Sequence, residues 1–101
     1  MEKEFTIKSI KGDFRVAIKN GIEAVAMKYC VYLSDDSDAM TKNFEKILEH
    51  IEYRVDKDEW IKVKEGNNYY PNGIDQNANA IMEIVEYFMK YLAGFFYNSN
   101  N

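Results

Sequence analysis

A chain of 101 residues that is 47% apolar and 30% charged has the size and balance of one globular domain with one hydrophobic core, so residues 1–101 are expected to fold as a unit and disorder is excluded. Its 17 acidic side chains outnumber 13 basic ones, which leaves no clustered basic excess for phosphate contacts and disfavours nucleic-acid binding. The single cysteine forbids an internal disulfide, no stretch reaches the roughly 18 uncharged apolar residues of a membrane span, and Met1-Glu2-Lys3-Glu4 opens no signal segment; a soluble, cytoplasmic protein is expected.

Phe5 and Ile7 alternate with Thr6 and Lys8, and Phe14, Val16 and Ile18 alternate with Arg15, Ala17 and Lys19, the period of half-buried strands. Asn20-Gly21 follows, a dipeptide suited to a tight hairpin. Residues 22–33 satisfy two patterns, since Val25, Met27, Tyr29, Val31 and Leu33 alternate while Ile22, Val25, Ala26, Tyr29 and Leu33 keep helical spacing. The Asn-Gly turn and the β-rich end Tyr29-Cys30-Val31-Tyr32-Leu33 favour a third strand.

Ser34 to Asp38 supplies capping side chains for a helix starting near residue 37, with the stripe Met40, Phe44, Ile47, Leu48 and Ile51. Val55 to Glu59 reads as a turn, Trp60 to Lys64 as a fourth strand, and Gly66 to Gly73 as a loop without regular structure. Asp75 is placed to cap a last helix whose apolar positions, Ala78, Ile81, Met82, Val85, Phe88, Met89, Leu92, Phe95 and Phe96, hold a 3.6 period, and residues 98–101 should fray. The expected fold is α+β, a small antiparallel sheet of three to four strands beginning with a meander and packed by two amphipathic helices, in the order β-β-β-α-β-α.

Little in the chain carries chemistry. Asp35, Asp36 and Asp38 miss the calcium-loop pattern, because Met40 and Lys46 stand where glycine and a carboxylate are needed. His50 is the one histidine and Cys30 the one thiol, and neither has a visible metal-ligand set or a catalytic base in the sequence. No phosphate loop, CxxC, GxSxG or HExxH motif is present. No catalytic residue, metal or cofactor is assigned.

What remains is surface. If residues 22–33 complete the sheet, one face carries Lys8, Arg15, Lys19 and Lys28 among small apolar residues and is either covered by the second helix or offered to an acidic partner, and Tyr69 and Tyr70 in the Asn/Gly/Pro loop either fold back on the core or anchor an interface; these six are the candidate partner-binding residues. The expected function is a non-enzymatic protein-binding domain acting on a larger partner, an inhibitor or immunity-type protein such as a phage or mobile-element inhibitor of a bacterial defence system. A small-ligand binder or minor enzyme with a pocket near Trp60, Tyr29 and Tyr32 is the alternative, and a nucleic-acid module on the basic face is a distant third. The alanine-bearing face and the Phe/Met-rich last helix offer routes to a homodimer.

Overall fold

Phe14, Arg15 and Val16 alternate inward, outward and inward, and that alternation builds the strand around which the sheet is laid. The computed structural model describes residues 1–32 and 36–99. Its sheet runs β1 (Glu4–Phe5), β2 (Phe14–Val16), β3 (Ile51–Asp56) and β4 (Glu59–Lys62), all antiparallel and in that spatial order. Register sets Phe5 against Phe14, Phe14 against Tyr53 and Val16 against Ile51, so one face is continuous hydrocarbon.

Three helices complete an α+β fold: α1 (Gly21–Tyr32), α2 (Ser37–Glu49) and α3 (Ala78–Ser99). The core joins Phe14, Val16 and Ile51 of the sheet to Ala24 and Met27 of α1, Ile47 and Leu48 of α2, and Ala80, Ile84, Val85, Phe88 and Leu92 of α3. Each large side chain so buried contributes about 1.5–3 kcal/mol. The N-terminal segment is clipped to α3 through Tyr87. Phe5 stacks on Tyr87 with ring centroids 4.0 Å apart, and the Tyr87 hydroxyl donates to the carbonyl of Glu2.

Residues 21–32 form a helix rather than the third strand of a meander, and the cause is local. The side chain of Asn20 accepts a hydrogen bond from the N–H of Glu23 at 2.9 Å, and Glu23 reaches back to the N–H of Lys19 at 3.1 Å. This reciprocal capping starts a helix where the same dipeptide, read as a turn, would start a strand. The element order is therefore β-β-α-α-β-β-β-β before the C-terminal helix. Leu33, Ser34 and Asp35, expected as strand end and capping region, and the tail residues 100–101 lie outside the described residues, while Asn98 and Ser99 are helical rather than frayed.

Smaller differences have equally local reasons. Asp36 caps α2 through a 2.7 Å bond from the N–H of Ala39, as its sequence predicts, but only the second half of the helix meets the core, leaving Met40 and Phe44 exposed. Val55 and Asp56 belong to β3, which turns into β4 with a bulge between Arg54 and Asp56. In the expected loop, Lys64–Glu65 (β5) and Asn68–Tyr69 (β6) pair as a short hairpin, with Gly66 at φ +60, a conformation glycine adopts freely. Asp75 lies in a single 3-10 turn, Ile74–Gln76, and the cap of α3 is Asn77, whose side chain accepts from the N–H of Ala80 at 3.0 Å. The buried face of α3 is accordingly Ala80, Ile84, Val85, Phe88 and Leu92, with Met82 and Phe95 turned outward.

Candidate functional site

Strand alternation gives the sheet a second face, on which Glu4, Arg15, Glu52 and Lys62 stand in one row across the four strands and Arg54 and Trp60 in the next. Arg15 Nε is 2.6 Å from Glu52 Oε1, and Arg54 Nη2 is 2.6 Å from Glu4 Oε1 with Asp13 Oδ2 3.4 Å from its Nε. Both guanidinium groups also lie over the Trp60 indole, at 4.3 and 4.6 Å from the ring centroid. Cation–π contact thus fixes Trp60 while the carboxylates neutralise the arginines, so this face carries little net positive charge.

Where the face meets the start of α1 and the end of α2, an open groove of about 590 Å³ forms, lined by Lys3, Arg15, Lys19, Glu23, His50 and Lys62 among others. Its charges are mixed, and Glu23 Oε1 lies 3.5 Å from His50 Nε2. His50 Nδ1 is held 2.7 Å from the carbonyl of Lys46. Cys30 is elsewhere, with its Sγ against Asn43 Oδ1. Because Glu23 marks the His50 end of α1 and Cys30 follows seven residues later, the rise of a helix puts roughly 10 Å between thiol and imidazole. They form no nucleophile–base pair, and among the described residues no three His, Cys, Asp or Glu side chains gather to hold a metal. No helix of the described residues is long and apolar enough to cross a membrane.

The six residues singled out from sequence do not converge. Arg15 and Lys19 line the groove. Lys28 sits on α1 with its Nζ 4.6 Å from the Phe96 ring, and Lys8 lies in the loop after β1, where its N–H donates to Glu83 Oε1 at 2.9 Å. The single basic sheet face required residues 22–33 to be a strand, and it dissolves with the helix. Tyr69 is half-buried against the core beneath the Lys64 ammonium, while Tyr70, with its ring 5.7 Å from that of Tyr53, is 38% exposed.

Sequence reasoning missed the outward side of α1. Ile22 is 82% exposed, Tyr29 61% and Val25 44%, with Ala26 exposed between them. The spacing 22, 25, 26, 29 is one helical stripe. The signal was present in the alternative helical reading of residues 22–33, but the buried side chains turn out to be Ala24 and Met27, which lie on the opposite side. Both faces of α1 are apolar, and only one is used by the core. On α2, Met40 stands one turn before Asn43, the residue in contact with Cys30 of α1, and is itself 43% exposed.

Comparison with protein families, with curated proteins and with solved structures finds no match.

Proposed function

We propose that this chain is a protein-binding domain that acts by occupying the surface of a larger partner, in the manner of an inhibitor or immunity protein. The observation that carries this reading is the apolar stripe Ile22, Val25, Ala26 and Tyr29, exposed on the outer side of α1. An ordinary surface helix presents polar groups to water, and a helix apolar on both sides is one that is covered on both sides. Tyrosine at the end of the stripe supplies a large amphipathic anchor of the kind that dominates interface energetics. The charged neighbours of the stripe are already engaged, Glu23 with the helix cap and His50, and Lys28 with Phe96, so the contact is apolar at its centre.

The test pairs two variants in affinity capture from a host lysate. Wild type should retain one protein in stoichiometric amount and depress that protein's activity. Ile22→Glu combined with Tyr29→Glu should abolish retention, and Met82→Glu, an exposed apolar position on α3, should not. Equal retention by the Ile22/Tyr29 variant removes α1 as the contact, and no retained protein at all removes the function.

A further inference from the structure

Backbone polarity, rather than side chains, singles out the free edge of β4. The N–H of Val63 donates to the carbonyl of Ile51 at 2.9 Å, and antiparallel pairing alternates, so Ile61, opposite Tyr53, also turns its backbone groups toward β3. Trp60 and Lys62, opposite Arg54 and Glu52, turn theirs the other way. The β2–β3 ladder agrees, since Arg54 donates to Asp13 and Ala17 to His50, which assigns the backbone of Arg54 and Glu52 to β2. β4 is the last strand of its sheet. Its outer edge thus offers two N–H and two C=O groups at a spacing of two residues, the pattern that an added strand reads.

We infer that this edge pairs with the same edge of a second copy of the chain, joining two four-stranded sheets into one across a two-fold axis beside Ile61. Three antiparallel registers use the outward groups. Setting Trp60 opposite Trp60 of the second copy places Lys62 against Asp58 in the hairpin turn, outside β4, and setting Lys62 opposite Lys62 confronts two like charges. The register with Trp60 opposite Lys62 uses every outward group of both strands. It sets each ammonium beside an indole on the charged face and Ile61 against its symmetry mate on the other face. The edge borders a concavity of about 330 Å³ in which Ile61, Tyr69 and Tyr70 line the wall beside Lys62, Glu65 and Asn68, and the added isoleucine meets its apolar part. The strand has only four residues, and so small a contact makes association concentration-dependent rather than obligate.

Sedimentation velocity of the full chain, from micromolar to millimolar, tests this. The mass should rise from one chain, 11.9 kDa, toward two. Lys62→Pro deletes an outward N–H while leaving the β3 ladder intact, and should hold the chain monomeric with an unchanged circular dichroism spectrum. Amide exchange at Trp60 and Lys62 in the wild type should slow as concentration rises, a readout that does not depend on the proline variant folding. Ile22→Glu should leave association unchanged, which separates this edge from the α1 surface. A monomer at millimolar concentration, concentration-independent exchange at Trp60 and Lys62, or a dimer lost on Ile22→Glu and kept on Lys62→Pro would each overturn the inference.

Discussion

The carboxylate of Glu83 on α3 receives the hydroxyl of Ser9 at 2.5 Å, across a sequence separation of 74 residues. The N–H groups of Lys8 and Ser9 donate to the same carboxylate, at 2.9 and 3.2 Å. Hydrogen bonds made to the charged form favour it, and the Ser9 hydroxyl, followed by the Lys8 N–H, lowers the pKa of Glu83 below the ordinary value of 4.5. A group lowered on folding adds stability that is fully present above 4.5 and disappears as pH falls through the lowered value. Glu83→Gln should therefore melt below wild type at neutral pH, and the gap should close as the solution is acidified below that point. Thermal denaturation of both proteins along a pH series checks this; a gap that stays constant into acid would show that Glu83 acts through packing alone.

Gly12 has φ +120, and a Cβ built there falls 2.6 Å from Cε1 of Tyr53. The tyrosine cannot yield easily, because its ring packs edge-on against Phe14 at 5.0 Å and its hydroxyl donates to the carbonyl of Lys11. Gly12→Ala should destabilise by roughly 1–3 kcal/mol, from backbone strain together with the clash. Chemical denaturation gives the value, and a loss under half a kilocalorie would mean that the loop between β1 and β2 relaxes.

Asn20 caps α1, so Asn20→Ala should cost about 1 kcal/mol, within a range of roughly 0.5–2. Asn20→Asp, which keeps an acceptor at the same place, should recover most of it. If the two variants are equally unstable, the hydrogen bond to the N–H of Glu23 is not what holds the start of the helix.

Phe88 is fully buried, and Phe88→Ala should cost about 3–5 kcal/mol, a large share of the stability of a chain this size. Ile22→Glu, by contrast, should stay within about 0.5 kcal/mol of wild type, because Ile22 contributes to no core contact. The pair of measurements separates a side chain needed for folding from one that folding does not need. An Ile22 variant that unfolds would make that side chain structural.

Much of the fold was legible in the sequence wherever one rule acted alone. Phe14 with Val16, Ile47 with Leu48, and Val85 with Phe88 and Leu92 obey a single period, and each lands in the core as read. Residues 22–32 obeyed two periods at once, since α1 is apolar on both sides, and the choice between them lay with Asn20 and Glu23 outside the periodic segment. The same error carried into the site. A sheet face collecting Lys8, Arg15, Lys19 and Lys28 needed that segment to be a strand, whereas the residue that two arginines do enclose, Trp60, owes its position to the β3–β4 register, which no local pattern announces. Asp75 and Asn77 are both good capping residues two positions apart, and the 3-10 turn before α3 decided between them.

β2 ends and β3 begins side by side, with Val16 facing Ile51 and the N–H of Ala17 bonded to the carbonyl of His50. Everything between those two points, α1 and α2 included, is an excursion that leaves the sheet and returns to the adjacent rung. Its length and outer sequence can vary without shifting a single strand, provided Ala24, Met27, Ile47 and Leu48 keep their grip on the interior. The sheet and the outer side of α1 are in this sense separable, and substitution on one need not disturb the other.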